Sequence, residues 1–201
     1  YFQNTDFRKW CDENIIKKEI QQENTKYIDI DGDDNTKVYA YDKYICVYRK
    51  KVLEFYNRAG EKSGSIELSI NNPMFTTAGR YLAICEENGQ KFYLITGKEK
   101  VFENEIEGNI KQINVSKNGY VSVVISNTSY KSIVDVFDGS GKEIFKTNLM
   151  SRVVDISISQ DNKYLAIAEV DLSGIIIKSR IQIISIELAK TDSEKAIQYK
   201  Y

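Results

Sequence analysis

Two groups of acidic residues have the types and spacing that could support chemistry in this chain. The first is the stretch DIDGDDN, from Asp29 to Asn35, which carries four aspartates. Several carboxylates on one tight loop form the kind of ligand set that calcium prefers. An EF-hand loop needs Gly at its sixth position and Glu at its twelfth. Here Gly32 is fourth from Asp29 and Ala40 is twelfth, so we favour a solvated turn between strands over a metal site.

The second group lies just beyond two apolar segments and consists of Glu86, Glu87, Glu169 and Asp171. Paired carboxylates could act as a general acid and base, or hold a cation. The simpler interpretation, which we favour, is that they are strand ends in water. A hydrolase that uses carboxylates and a metal is therefore only a minor alternative.

Other sources of chemistry are missing from the sequence. The chain has no histidine, which excludes Ser-His-Asp and Cys-His arrangements and histidine-based zinc sites within it. No Gly-rich phosphate loop follows a strand and opens a helix. Cys11, Cys46 and Cys85 are too few and too widely spaced for a disulfide framework; we expect buried thiols, and one disulfide stays an alternative. We assign no catalytic, cofactor-binding or metal-binding residue and expect no enzyme.

The charge and length of the chain limit the classes of partner and the number of domains that we expect. The 28 basic and 29 acidic residues give a net charge of −1, so neither nucleic acid nor a polybasic membrane tether is expected. The 201 residues suit one domain or part of a larger one. The sequence contains no apolar run of about 18 residues, so we expect no transmembrane helix within this chain. A protein partner is the expectation that remains.

The elements that position these residues repeat along the chain. Four apolar strands open with a tyrosine and follow a polar turn: YICVY from Tyr44, YLAIC from Tyr81, YVSVV from Tyr120 and YLAIA from Tyr164. Their spacings of 37, 39 and 44 residues approach the roughly 40 to 45 residues of a four-stranded propeller blade. The turns before them hold residues that tolerate positive φ or bond their own backbone, namely Asp42, Gly79, Asn118, Gly119, Asp161 and Asn162.

Further short strands surround each repeated phrase. Strands are predicted upstream at 73–77, 112–116 and 155–159, and downstream at 52–57, 91–96, 132–137 and 181–187. After a Gly-containing turn, a fourth strand is predicted in the first three units, at 65–69, 101–106 and 143–148. The unit is therefore an antiparallel four-stranded meander.

This unit predicts an all-β propeller. Strands of the YLAIA type are apolar on both faces, and neighbouring blades around an axis would cover both. A β-sandwich is the structural alternative, but it gives no reason for one phrase to recur at about 40 residues. We place blades at approximately 31–70, 71–109, 110–151 and 152–201. Four blades can close a ring; we expect instead an incomplete arc of a larger propeller, because AIQYKY at the end looks like a blade cut off mid-sheet.

The N-terminal part departs from the repeat. YFQN at residues 1–4 resembles the remnant of a protease-cleavage tag. Residues 5–30 are interpreted as a lead-in segment that begins with a short helix. Thr5 and Asp6 are its candidate N-cap residues, and Phe7, Trp10 and Cys11 share one face of it. Strands at IIKKEI and YIDID are a weaker expectation.

One loop is longer than its counterparts. EVDLSGIIIKSR, residues 169–180, carries Leu172, Ile175, Ile176 and Ile177. We favour a lengthened hairpin whose apolar side folds onto the sheet. The alternative is an exposed apolar patch that meets a partner, since extra length in one repeat often maps to a binding face.

The repeated phrases also carry a resemblance. SQDNKYLAIA is similar to the Ser-Pro-Asp-Gly-Lys-Tyr-Leu-Ala phrase of bacterial WD-repeat and YVTN-like propellers, with Gln160 and Asn162 in place of Pro and Gly. The runs AYDKYICVY, GRYLAICEENGQKFYLI, IEGNIKQINVSKNGYVSVVIS, GKEIFKT and DISISQDNKYLAIAEVDLSG resemble a bacterial family of unknown function. This resemblance implies one N-terminal transmembrane helix, absent from this chain, a propeller-like domain on the extracytoplasmic side of the membrane, and more blades after Tyr201. A cytoplasmic location is the alternative.

Together these observations predict a non-catalytic interaction or scaffold module of a membrane-anchored bacterial envelope protein. A propeller that binds a ligand or a cell-wall glycan is the main alternative. The tyrosines that open the strands are expected to pack in the core rather than bind sugar. Exposed blade edges could also drive self-association.

Overall fold

The computed structural model describes residues 28, 30, 36–191 and 196–200. The predicted N-terminal helix and the predicted strand at IIKKEI lie outside these residues. Apart from Ile28 and Ile30, so do the predicted strand at YIDID and the DIDGDDN stretch. The described residues form sixteen β-strands and one short helix. The fold is therefore all-β, as the sequence predicts.

The strands form four separate four-stranded antiparallel sheets, which we call blades 1 to 4. Blade 1 contains β1 (Lys37–Tyr41), β2 (Tyr44–Arg49), β3 (Val52–Tyr56) and β4 (Lys62–Glu67). Blade 2 contains β5 (Pro73–Ala78), β6 (Tyr81–Glu86), β7 (Lys91–Thr96) and β8 (Glu99–Glu105). Blade 3 contains β9 (Asn109–Val115), β10 (Val121–Ser126), β11 (Ser132–Phe137) and β12 (Glu143–Leu149). Blade 4 contains β13 (Arg152–Ile158), β14 (Tyr164–Asp171), β15 (Lys178–Ser185) and β16 (Ile197–Lys200).

The turns that open the second strand of each blade have the predicted chemistry. Asp42, Gly79, Gly119 and Asn162 all adopt positive φ, between 50° and 81°. Glycine reaches this conformation freely, and Asn and Asp reach it more readily than other side chains. These four turns set the start of the strands that carry most of the core.

Consecutive blades pack face to face. We call the face of a blade that meets the preceding blade its leading face, and the opposite one its trailing face. Three apolar clusters fill the spaces between blades 1 and 2, 2 and 3, and 3 and 4. Because alternate residues of a strand point to opposite faces, the second strand supplies both: in β6, Leu82 and Ile84 join the cluster with blade 1, while Ala83 and Cys85 join the cluster with blade 3.

The first strands lie at the inner edge of this stack. Contacts between neighbouring blades concentrate on β5, β9 and β13. All first strands run in the same direction, so each blade begins at the same end of the stack. We call this the entry end; it also carries the hairpins between second and third strands.

Three details differ from the sequence prediction. Strand β1 was missed, although Tyr39 and Tyr41 alternate with Val38 and Ala40. The strand predicted at 181–187 ends at Ser185, which caps the one-turn helix α1 (Ile186–Ala189). The reading of AIQYKY as a blade cut off mid-sheet is wrong, because β16 pairs with β15 and completes blade 4.

Candidate binding surface

The carboxylates singled out in the sequence do not meet in one site. Glu86 Oε1 accepts hydrogen bonds from the backbone N and Nδ2 of Asn71, at 3.1 and 3.0 Å. Glu87 Oε2 accepts one from Asn72 Nδ2 at 2.6 Å. Both lie in blade 2, whereas the other two candidates lie in blade 4. Each pair fixes a local connection of its own blade.

Glu169 corrects the expectation of a strand end in water. It is 2% exposed, and its Oε1 forms an ion pair with Arg180 Nε at 2.7 Å. The same carboxylate accepts hydrogen bonds from Ser151 Oγ and Gln182 Nε2. Glu169 is therefore a structural anion on the leading face of blade 4, covered by its neighbours in β15 and by the β12–β13 connection.

Asp171, two residues further on, is partly buried and binds its own loop. Its Oδ1 accepts hydrogen bonds from the backbone N and the Oγ of Ser173, at 2.9 and 2.6 Å. These bonds lower the pKa of Asp171, with smaller contributions from the charges of Lys131 and Arg180. This carboxylate fixes the start of the loop that follows.

A buried polar position that sequence reasoning missed recurs in the third strand of each blade. When each second strand is counted from its opening tyrosine (Tyr44, Tyr81, Tyr120 or Tyr164), the residue opposite its fourth position is Glu54, Tyr93, Asp135 or Gln182 in blades 1 to 4. All four are buried on leading faces. From the sequence, the shared position could have been found only by aligning the four repeats with one another.

The partners at this position differ from blade to blade. Burial alone would raise the pKa of Glu54, but hydrogen bonds from Lys62, Arg49 and Tyr56 outweigh it and hold this pKa below its usual range. Tyr93 accepts a hydrogen bond from the backbone N of Ser69 at 3.1 Å. Glu54 and Tyr93 therefore stabilise the fold through hydrogen bonds, and we assign them no reactive role.

Asp135 is the exception in its titration. Burial raises the pKa of Asp135 to about 7, and the nearby Lys146 ammonium, 3.1 Å away, opposes this shift. Its second oxygen has no hydrogen-bond partner among the described residues. Asp135 lies between blades 2 and 3 rather than in an open groove.

Neither a metal centre nor a membrane span is found in the described part of the chain. No group of three or more Cys, Asp or Glu side chains is placed to hold a metal ion there. No helix in that part is long and apolar enough to cross a bilayer. Cys46 and Cys85 are buried free thiols, as expected, whereas Cys11 lies outside the described residues.

A groove lies at the entry end between blades 3 and 4. This groove has a volume of about 640 Å³. Its cationic lining comes from Lys111, Lys131 and Arg152, and the described residues that line it include no carboxylate. Val153, Val170 and Leu172 supply apolar wall. We call it the 3–4 groove.

The long loop of blade 4 rises beside this groove. Residues 172–177, which we call the isoleucine loop, join β14 to β15. Ile175, Ile176 and Ile177 are 106%, 74% and 66% exposed. The predicted folding of this apolar side onto the sheet is therefore wrong, and the alternative of an exposed patch is what the structure shows. Three adjacent aliphatic side chains in water are unusual unless a partner covers them.

A second, shallower groove lies along the inner strands of blades 1 to 3. Its volume is about 370 Å³, and it shares Lys111 and Gln112 with the 3–4 groove. Tyr39 and Phe75 form one wall, with their ring centroids 3.6 Å apart. Glu87 and Asn72 supply polar groups.

Solved structures with this architecture are propellers. A dihydro-haem d1 dehydrogenase, NirN, in complex with DHE superposes with a TM-score of 0.56 at 9% identity, covering 83% of this chain and 36% of that one. The Pan2 WD40 domain of Neurospora crassa gives 0.50 at 10% identity, covering 82% and 50%. A eukaryotic initiation factor gives 0.54 at 10% identity, covering 82% and 42%. The chain thus spans half or less of each structure, and the likeness shows the fold alone.

These likenesses define the class by its fold: the chain is a set of propeller-type blades. It belongs to a family of unknown function (DUF5711), whose model matches residues 16–200. None of the curated proteins matches it by sequence.

Proposed function

We propose that this chain is a non-catalytic interaction module that binds a protein partner through the entry end of blades 3 and 4. The observation that carries the proposal is the isoleucine loop, whose three exposed isoleucines stand beside a groove lined by three cations. Interfaces combine an apolar centre with a polar rim, and this surface has both parts. The dispersed and engaged carboxylates of blades 2 and 4 support a non-catalytic role.

We further propose that the module is displayed on the outer face of a bacterial membrane and anchored by a helix outside this chain. The support is the resemblance of its repeats to membrane-anchored propeller proteins. Fractionation of cells that express the natural gene tests this placement. Recovery of the protein in the cytosol alone would rule it out.

The binding surface can be tested by photocrosslinking from a single position. A crosslinking amino acid at Ile176 is expected to trap one partner of defined mass, since this side chain projects from the entry end. The matched control is the same amino acid at Lys163, whose side chain is 67% exposed in the opposite-end turn of the same blade. Equal trapping of the same protein from both positions would contradict the assigned surface.

A ligand- or glycan-binding role is the second candidate, and the groove of blades 1 to 3 favours it. Tyr39 and Phe75 offer aromatic surface, with Glu87 and Asn72 as hydrogen-bonding groups beside it. Aromatic walls with a few polar groups suit sugars. A concentration-dependent rise in melting temperature with cell-wall fragments, lost in Tyr39→Ala, would support this role. No shift at saturating fragment would exclude it for those fragments.

A further inference from the structure

The 3–4 groove concentrates positive charge in a chain whose charges otherwise nearly balance. The sequence has 28 basic and 29 acidic residues, yet the charged groups among the described lining residues are Lys111, Lys131 and Arg152 alone. Within the described part of the chain, none of these three cations forms an ion pair with a carboxylate. Lys111 Nζ donates a hydrogen bond to the neutral amide oxygen of Asn88, at 2.5 Å. All three positive charges therefore stay available to an anionic ligand.

Two aspartates adjoin the groove lining in sequence, and both are engaged by other donors. Asp155 Oδ1 accepts hydrogen bonds from Gln112 Nε2 at 2.7 Å and from the backbone N of Ile156 at 2.9 Å. Asp171 is held by Ser173, as described above, and forms no ion pair with a described cation. The groove therefore keeps an excess of positive charge.

Exposed apolar side chains surround these cations. Val154 and Leu172 line the groove and are exposed, and Met150, in the connection between β12 and β13, is exposed beside them. The isoleucine loop continues directly from Leu172. A ligand that covers this surface must therefore offer aliphatic contacts as well as negative charge.

The lining favours carboxylates over a phosphate group as the source of that charge. Phosphate sites in proteins often bring the backbone N–H groups of a glycine-rich turn or a helix N-terminus onto one point. The described lining of this groove includes neither a glycine nor a helical residue. Its cations come from three separate elements, namely β9, the connection between β10 and β11, and β13. Cations that are spread along an apolar groove match carboxylates that are spread along an apolar chain.

We propose that the partner segment that binds in the 3–4 groove is both acidic and aliphatic, and that its Asp or Glu side chains pair with Lys131 and Arg152. This inference rests on the proposed function, because it names the chemistry of the segment bound at that surface. Ser126 and Ser132 line the same groove and supply hydroxyl donors for a carboxylate. The groove volume of about 640 Å³ lies within the range of ligand pockets and suits a short segment of chain.

The two parts of the surface are expected to contribute differently. Buried aliphatic anchors carry much of the affinity of an interface, whereas charges at its rim select the partner and speed its association. Lys131 and Arg152 are exposed, so their pairing with a partner is screened by salt. Binding should therefore weaken as the salt concentration rises.

Selection from a random-sequence peptide library displayed on phage tests this chemistry. Peptides selected on the unsubstituted chain should be enriched in Asp, Glu and aliphatic residues relative to the starting library. Their affinity, measured by fluorescence anisotropy, should fall at least about tenfold in the groove variant Lys131→Glu/Arg152→Glu.

The matched control reverses two exposed charges at the same end of blade 1. Lys50→Glu/Lys51→Glu changes the net charge by the same amount, in the hairpin between β2 and β3. The selected peptides should bind this control within about twofold of the unsubstituted chain, because exposed charges distant from a binding site contribute little. Circular dichroism confirms that both variants are folded.

Three results would overturn the inference: no enrichment of any peptide, selected peptides that are not acidic, or an equal loss of affinity in the groove variant and the control. The replacement of Ile175, Ile176 and Ile177 with serine separates this failure from that of the proposed function. Peptides that lose affinity in the serine variant but not in the groove variant would leave the binding surface in place and refute only its acidic partner. Peptides that bind both variants normally would contradict both proposals.

Discussion

Buried carboxylates in three blades share one arrangement at the scale of single residues. Glu54 is held by Lys62 at 2.6 Å, Asp135 by Lys146 at 3.1 Å and Glu169 by Arg180 at 2.7 Å. In each pair the carboxylate is buried while the cation keeps more than a third of its side chain in water. Only the carboxylate of each pair is thus fully desolvated. Its removal would leave a cation that water still reaches.

The Glu169 pair gives the first prediction. Glu169→Ala removes the anion that Arg180, Ser151 and Gln182 surround, and should lower the free energy of unfolding by about 2–3 kcal/mol. Chemical denaturation measures this loss. Glu105→Ala is the control, because the Glu105 side chain is 59% exposed and its ion pair with Lys91 is long, at 3.8 Å. This change should alter the free energy of unfolding by less than about 0.5 kcal/mol. Equal effects of the two changes would refute the structural role of Glu169.

The raised pKa of Asp135 gives a second prediction, on pH. Between its unfolded pKa near 3.8 and its folded pKa of about 7, the folded protein holds a proton that the unfolded chain releases. Stability from this group is therefore lost as pH rises from about 4 to about 7. Asp135→Asn cannot titrate, so its stability relative to the unsubstituted protein should rise over that window, by on the order of 1–4 kcal/mol, and level off above it.

Urea denaturation of both proteins at half-unit pH steps measures this difference. The carboxylates that do not interact with Asp135 cancel in the comparison, since both proteins contain them; Glu143, whose charge also raises the pKa of Asp135, is the exception. A difference that stays constant from pH 4 to pH 8 would show that Asp135 is not buried as described.

Single residues were the hardest level to predict from the sequence. The tyrosines at 44, 81 and 120 pack against the core, because each opens a strand between two blades, whereas the same prediction is wrong for Tyr164, which is 45% exposed. Glu169 looked like a solvated strand end because the sequence does not reveal that Arg180 and Ser151 converge on it. The third-strand position of Asp135 carried no signal within one blade, since burial there depends on the neighbouring blade.

At the scale of elements, the turns before the second strands set the register of each blade. Gly119 is the most constrained of them. Its φ is +81°, and a Cβ at this position would lie 2.9 Å from the ring of Tyr81 in blade 2. This turn therefore combines a left-handed backbone with close packing against the preceding blade.

A pair of glycine substitutions separates these two effects. Gly97 also has positive φ, at +60°, but nothing lies within 4 Å of its missing Cβ. Gly97→Ala should lower the free energy of unfolding by about 1 kcal/mol through backbone strain alone. Gly119→Ala should lower it by about 2–3 kcal/mol, because Tyr81 must also move. Thermal or urea denaturation measures both; equal losses would mean that Tyr81 does not pack on this turn.

Elements were largely predictable because their signals are local. Alternating apolar residues and turn chemistry located most strands, including all four that open with or follow a tyrosine. Strand β1 was missed because only Tyr39 and Tyr41 face a core, whereas Val38 on its other face is exposed. The isoleucine loop was misjudged because its apolar residues suggest burial, and no sheet surface lies over them.

At the scale of the whole molecule, the blades form an open arc within the described residues. The space between each consecutive pair is filled, while the trailing face of blade 4 is not. The binding surface that we propose lies at the entry end of the last two blades. Position along the arc, rather than any residue type, thus distinguishes blade 4 from the others.

Face-to-face packing of blades predicts an energetic coupling across them. Phe92 of blade 2 and Phe137 of blade 3 have ring centroids 5.0 Å apart. A double-mutant cycle with Phe92→Leu and Phe137→Leu should show a coupling of about 0.5–1.5 kcal/mol. Phe92→Leu with Ile167→Val, which lies in the cluster between blades 3 and 4, should be additive within about 0.5 kcal/mol. Additivity in both cycles would contradict this blade packing.

The central claim is that the molecule acts by binding through the isoleucine loop and the 3–4 groove. The most direct measurement is the affinity of the purified partner, identified by crosslinking from Ile176, for two variants. One replaces Ile175, Ile176 and Ile177 with serine; the other is Val101→Ser, a change of an exposed aliphatic residue on blade 2. We expect the first to weaken binding at least about tenfold and the second to leave it unchanged. Unchanged affinity in both would contradict the claim.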